Sequence, residues 1–191
     1  MFEKINNFIF RFRARKYLST TERERRFVSY AKAKTVLILF ESDYSEKNQP
    51  IRRMILSLQQ DGKKVSAWGF IDKKEITTSI LPDFRVLHHQ QTDFFHKPVI
   101  SYINELSELE FDLLIDLSLK PILPLQYLAM YANAYCKAGI RQNDLPIYDF
   151  MLDLESKKSI PEDLETNETI IDENYLFEQI IFYLKSIQTN D

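Results

Sequence analysis

Glycine is scarce in this chain, and its scarcity excludes a class of binding sites. Only three glycines occur among 191 residues. Loops that cradle the phosphates of dinucleotides or nucleoside triphosphates need glycine, because the backbone must approach the phosphate closely. Neither the G-x-G-x-x-G nor the G-x-x-x-x-G-K-[ST] pattern is present. We therefore predict no nucleotide cofactor, and no motif points to any other cofactor.

Cysteine, histidine and long apolar runs are also rare. The single cysteine, Cys136, excludes an intramolecular disulfide and is typical of a reducing compartment. His88 and His89 would point to opposite faces of a predicted strand, so at most one can join His96, and we predict no metal site. No apolar run has transmembrane length and no signal-peptide pattern opens the chain, so we expect a cytoplasmic protein.

Charge is distributed unevenly along the chain. Residues 1–26 contain eight Lys or Arg and three acids, whereas residues 149–191 contain eleven acids and three Lys. The whole chain carries only −3. A basic head and an acidic tail are thus the main electrostatic features, and a basic cluster this short in an acidic protein argues against nucleic-acid binding.

The stretch from Phe111 to Gly139 predicts the fold class. Its first part, FDLLIDLS, is a short apolar run with the length of a strand. Pro121 and Pro124 follow, and then a broad apolar face typical of a helix that ends at Gly139. A strand, a turn and a helix form the repeating unit of a parallel α/β sheet.

The rest of the chain repeats this alternation. We predict one three-layer α/β domain over residues 34–191, with a mostly parallel, Rossmann-like, doubly wound sheet of strand order 3-2-1-4-5. A basic helical arm over residues 1–33, with a second helix from Ser19 to about residue 31, precedes it. The other predicted strands are residues 35–40, 65–70, 84–89 and 146–154, and the other predicted helices are residues 50–60, 97–109 and 175–187.

The arm needs a surface to cover it. Its apolar residues recur at helical spacing: Phe2, Ile5, Phe8, Ile9 and Phe12. They could be covered by the parent domain, by a second copy or by anionic lipid. Attraction between the basic arm and the acidic tail favours a protein surface, so we expect intramolecular docking or a homodimer. Weak contact with an anionic membrane, at its inner face, is the alternative.

Polar residues at the carboxyl ends of two central strands are the candidate binding site. Ligands of open parallel sheets bind at this edge, near the point where the strand order reverses. A carboxylate beside a lysine and hydroxyls can hold a polar small molecule or act as a general base. In the alternative interpretation, Asp43 caps the next helix and Lys120 is solvated. The candidate ligand-binding residues are Glu41, Ser42, Asp43, Ser118 and Lys120; no catalytic residue is identified.

The chain also resembles two protein families. The alternation over residues 35–139, with FDLLIDLS, a helix and Lys-Ala-Gly, resembles the N-terminal half of heptosyltransferase-type GT-B glycosyltransferases. That family carries Gly-Asp in its first loop where this chain has Ser42-Asp43, so the resemblance would place a catalytic acid at Asp43. It also implies a second α/β domain for the nucleotide-sugar donor, and this chain has no room for one.

Nearly the whole chain resembles a small uncharacterised bacterial family of unknown function. The motifs that carry the resemblance are FDLLIDLS, YLAMYANAYCKAG and YDFMLDL. We predict a non-enzymatic binding or protein-interaction module. The alternative is a glycosyltransferase-like enzyme, intact or degenerate, that binds a polar or sugar ligand at the carboxyl ends of the strands.

Overall fold

The computed structural model describes residues 2–42, 48–72, 84–142, 144–153 and 171–187. Within these ranges, six strands form a single sheet: β1 (Thr35–Glu41), β2 (Lys64–Ile71), β3 (Arg85–His88), β4 (Glu110–Asp116), β5 (Asn133–Ile140) and β6 (Phe150–Leu152). The helices of the same ranges are α1 (Phe2–Thr20), α2 (Asn48–Gln60), α3 (Ile100–Glu108), α4 (Leu123–Tyr131) and α5 (Glu173–Ser186), with a short 3₁₀ turn at His89–Gln91.

The sheet is parallel throughout, with the order β3-β2-β1-β4-β5-β6. β1 lies at its centre, where Ile38 is in register with Ala67 of β2 and Ile115 of β4. The apolar sequence of β1 is buried on both faces, as expected of a central parallel strand. The strand order reverses between β1 and β4.

Helices cover both faces of the sheet. Leu37 and Leu39 of β1 belong to a core cluster that includes residues of α1, α3 and α4. Val36 and Ile38, which point the other way, belong to a second cluster with α2 and α5. The predicted three-layer, Rossmann-like α/β class is therefore confirmed.

The predicted long helix ending at Gly139 is wrong in its second half. α4 ends at Tyr131, and β5 begins two residues later at Asn133. Almost every residue of α4 is buried, so apolar periodicity could not show where the helix ends. Gly139 lies inside β5, where an added Cβ would stand 3.1 Å from the ring of Tyr148. The first four strands thus keep the predicted order, and β5 is inserted before the predicted last strand.

The second helix predicted for the arm does not form, since residues 21–29 are not helical. The guanidinium of Arg23 instead donates to the carbonyl oxygens of Ala134 (2.6 Å) and Tyr135 (3.1 Å) in β5. It also donates to Oδ2 of Asp149 at 2.6 Å. These long-range bonds to β5 and Asp149 outweigh the local capping signal at Ser19 to Glu22.

α1 has two apolar faces, and the one that packs inward is not the predicted one. Phe10, only 1% exposed, and the buried Ala14 form the inner face. The ring of Phe10 meets the ring of Tyr127 in α4 edge-on, with centroids 4.8 Å apart. The opposite side, here called the outer face of α1, remains at the surface of the single chain and consists of Ile5, Phe8 and Phe12; Phe2, at the start of the helix, is exposed but meets the ring of Phe94.

Candidate functional site

The reversal of strand order brings the carboxyl ends of β1 and β4 together. Glu41 ends β1, and Lys120 lies in the loop after β4. Their side chains form an ion pair, with Lys120 Nζ 3.0 Å from Glu41 Oε1. The two elements are also joined by a bond from the Leu117 amide to the Leu39 carbonyl (2.9 Å). Two of the predicted site residues are therefore in direct contact at the expected edge of the sheet.

Two other predicted residues lie at the same edge but are buried. The amide of Ser42 donates to the carbonyl of Phe70 at 2.9 Å, which extends the β1–β2 ladder by one bond. Ser118, in the loop that follows β4, is also buried. Asp43, the fifth predicted residue, lies outside the described residues, and so does its alternative role as a helix cap.

A buried carboxylate, Asp116, organises this region. Its Oδ1 accepts a bond from the Ser118 amide (2.9 Å), and its Oδ2 accepts one from the Tyr148 hydroxyl. Burial raises the pKa of Asp116, although hydrogen bonds from Ser118 and Tyr148 oppose the rise. Burial and the adjacent carboxylate raise the pKa of Tyr148. The pair holds β4 to the segment that leads into β6.

Two glutamines continue the network. Gln142 Nε2 donates to the carbonyl of Ser118 at 2.8 Å, and Gln126 Nε2 donates to Gln142 Oε1 at 2.8 Å. Two buried oxygens, Ser118 Oγ and Gln126 Oε1, have no hydrogen-bond partner of normal geometry. The Ser118 hydroxyl is nevertheless close enough to Asp116 to lower the pKa of that carboxyl. Buried polar atoms are usually paired, so the unpaired Gln126 Oε1 marks a place for a further polar group.

A separate pocket of about 380 Å³ lies between the first turns of α1 and the loop after β3. Two histidines line it, and their ring centroids are 5.5 Å apart. One of them, His89, is paired through Nε2 with Asp72 at the end of β2. The lining residues are Phe2, Asn6, His89, Thr92, Asp93, Phe94 and His96.

The pocket was not predicted from the sequence, and neither were the glutamines. Asn6 and the two histidines are far apart in the chain, and only the docking of α1 brings them together. In the described residues, no group of three or more His, Cys, Asp or Glu side chains is placed to hold a metal ion.

Cys136 and Lys137 are buried next to each other in β5. Burial raises the pKa of the Cys136 thiol to about 11, so little of the reactive thiolate forms near neutral pH. Lys137 Nζ donates to the carbonyls of Ala129 (2.7 Å) and Met130 (3.2 Å), which belong to the last turn of α4. Both side chains have structural roles.

The fold and this edge of the sheet define a parallel α/β protein with a polar site at the reversal of strand order. The chain belongs to a family of unknown function, DUF6913, which it matches over residues 6–187. The predicted membership of an uncharacterised family is confirmed. No curated protein sequence matches the chain.

A solved structure, the glycosyl transferase family 9 protein from Veillonella parvula DSM 2008, is similar in fold. The identity is 14% and the TM-score is 0.48, over 88% of this chain and 44% of that one. This chain therefore spans less than half of that structure.

Proposed function

We propose that the protein is a non-catalytic interaction module that binds an anionic membrane surface through the outer face of α1. The observation that carries the proposal is the exposure of aromatic side chains on this helix. Phe8 is 71% exposed and Phe12 is 65% exposed, although the opposite side of the same helix is packed. Large apolar side chains grouped on one surface are typical of interaction sites.

Basic side chains border these phenylalanines. At 3.6 residues per turn, Phe8 and Phe12 lie about 40° apart around the helix, and Arg15 lies about 20° from Phe8. Lys4 and Arg15 are exposed. Arg11 is on the same side and reaches Asp144 at 3.2 Å. An apolar stripe bordered by Lys and Arg matches the headgroup region of an anionic bilayer, where each basic residue contributes about 1 kcal/mol.

Charge favours lipid over a second copy of this helix. α1 contains five basic residues and one acidic residue, a net charge of +4, so the remainder of the chain carries −7. A symmetric dimer through the outer face would bring two helices of +4 together. An anionic surface, by contrast, attracts the positive charge of the helix. No helix among the described residues is long and apolar enough to cross a membrane.

The non-catalytic part of the proposal rests on two sets of groups. One lies where the strand order reverses between β1 and β4, here called the switch point, and the other lies in β5. Asp116 is buried and bonded to Tyr148, and Cys136 is buried with a raised pKa. Lys137 is bonded to the end of α4. Each of these reactive groups is buried or bonded within the fold and contributes to its stability.

Flotation with lipid vesicles tests the proposal. The intact chain should float with vesicles of phosphatidylcholine and phosphatidylglycerol, but not with phosphatidylcholine alone, and added salt should weaken binding. Phe8→Ser with Phe12→Ser should abolish flotation. Phe182→Ser is the matched control, because Phe182 of α5 is 62% exposed and lies on the other face of the sheet.

Two results would contradict membrane binding. One is a chain that fails to float with the anionic vesicles. The other is equal loss of flotation in the Phe182 control. If light scattering instead shows a dimer that Phe8→Ser with Phe12→Ser dissociates, the outer face binds a second copy.

The unpaired Gln126 Oε1 favours a second candidate function, the binding of a polar or sugar ligand beside Glu41 and Lys120. If this site is used, nucleotide-sugars should raise the thermal unfolding temperature, and Lys120→Met should reduce that rise. Lys64→Met is the control, because Lys64 is exposed at the start of β2, at the opposite edge of the sheet. No shift with any nucleotide-sugar would eliminate this candidate in its glycosyltransferase-like form.

A further inference from the structure

We propose that the pocket between α1 and the loop after β3 binds a planar, uncharged heteroaromatic ring of the nucleobase class, as the free base or nucleoside. The pocket volume of about 380 Å³ is within the usual range for small-molecule sites. This site is separate from the outer face of α1 and from the switch point, so its test does not depend on the proposed function.

An unpaired amide lines the pocket. Asn6 is only 5% exposed, and its side chain makes no hydrogen bond with any residue in the described part of the chain. Both ends of the Asn6 amide are therefore available to a ligand in the pocket. Asn6 offers one donor and one acceptor side by side, and the edges of nucleobases present the complementary pair.

Aromatic side chains supply the surfaces for a planar ring. Phe2 and Phe94 meet edge-on at the pocket with centroids 6.4 Å apart, and Phe94 is largely exposed. The imidazole of His96 forms another part of the lining. Nucleobases bind proteins by stacking on aromatic side chains of this kind.

The loop after β3 holds His96 in an unusual backbone conformation. This residue has a φ of +60°, in the left-handed region that costs free energy for a side chain with a Cβ. Asp93 maintains the turn: its Oδ1 accepts bonds from the amides of Phe95 (2.8 Å) and Lys97 (2.9 Å), and its carbonyl accepts one from the amide of His96 (2.9 Å). Three bonds to one residue therefore hold the strained position in place.

Nearby acids argue against a phosphorylated ligand. Asp93 lines the pocket, and Asp72 is paired with His89 beside it. Glu3 lies in the first turn of α1. Arg13, at 3.7 Å from Asp93 Oδ2, offsets part of this charge. A phosphate group would be repelled by the carboxylate of Asp93 in the lining, whereas an uncharged base or nucleoside would not.

Calorimetric titration with adenosine, guanosine, cytidine and uridine, and with their 5′-monophosphates, tests the proposal. At least one nucleoside should bind, and more tightly than its monophosphate. Asn6→Leu should weaken that binding about tenfold, the effect of losing hydrogen bonds to an uncharged group. Asn7→Leu is the matched control, because Asn7 bonds to the Glu3 carbonyl (3.0 Å) and does not line the pocket.

Thermal unfolding separates a binding role from a structural one. Asn6→Leu removes an amide that makes no hydrogen bond within the described residues, so the variant should unfold at about the same temperature. His96→Gly should also stay folded, because glycine tolerates a positive φ, and should weaken binding. The proposal is overturned if no nucleoside binds, if a monophosphate binds more tightly than its nucleoside, or if Asn6→Leu affects binding no more than Asn7→Leu does.

Discussion

Two lysines are buried in the described part of the chain, and each is held by backbone carbonyls. Lys63 Nζ donates to the carbonyls of Tyr30 (2.6 Å) and Ala33 (2.9 Å), just before β1. Lys137 closes the end of α4 in the same way. Burial lowers the pKa of both side chains. The sequence alone does not distinguish these two lysines from lysines at the surface, so their bonds to loop and helix carbonyls could not be predicted.

Lys137 should make stability depend on pH. Burial, reinforced by Arg23 and opposed by Asp149, lowers its pKa from 10.5 to about 7. Between these values the unfolded chain binds more protons at Lys137 than the folded chain, so the free energy of unfolding rises with pH. The slope from one such group is at most about 1.4 kcal/mol per pH unit.

Urea unfolding across that pH interval measures this effect. Lys137→Met should remove the rise that Lys137 contributes, whereas Lys64→Met, at an exposed lysine, should keep it. Other titrating groups are common to all three proteins and cancel in the comparison. Parallel stability curves for the intact chain and Lys137→Met would show that Lys137 stays charged in the folded state.

Part of the switch-point site could be predicted from single residues, and part could not. Glu41 and Lys120 directly follow apolar runs, and parallel strands place their carboxyl ends at one edge, so their contact follows from the strand pattern. Gln126 belongs to α4 and Gln142 to the segment after β5. The prediction had merged α4 and β5 into one helix that ends at Gly139. Without β5, no pattern could place the two amides together.

At the scale of elements, α4 and β5 show the limit of apolar periodicity. Their combined sequence, LPLQYLAMYANAYCKAGI, is apolar nearly throughout, because α4 is buried on all sides and β5 on both faces. Periodicity distinguishes helix from strand only where one side is polar. The strands β1 and β2 were predictable because charged or turn residues bound them on both sides.

The two faces of α1 differ in burial, so substitutions on them should differ in their effect on stability. Phe10→Ala should lower the free energy of unfolding by about 3–5 kcal/mol, because its ring fills a packed site against Tyr127. Phe12→Ala, at an exposed position on the same helix, should change it by less than about 0.5 kcal/mol. Chemical denaturation of the two variants measures the difference. Equal losses, or a larger loss for Phe12, would mean that α1 packs through its other face.

At the scale of the whole molecule, the sequence predicted the class of fold and the order of the first four strands. Central parallel strands are apolar on both faces, and right-handed crossovers leave few possible orders. The sequence also showed that positive charge is concentrated in residues 1–26 and negative charge in residues 149–191. It could not show which face of α1 packs on the domain, because both faces carry phenylalanine and only the shape of the α4 surface selects Phe10.

Quenching by brominated lipid tests most directly whether the outer face of α1 contacts lipid. Phe8→Trp and Phe182→Trp place a fluorophore on α1 or on α5, while the buried Trp68 gives a common background. With anionic vesicles containing brominated acyl chains, the tryptophan at position 8 should be strongly quenched and the one at position 182 should not. Equal quenching at the two positions, or none at position 8, would contradict the account.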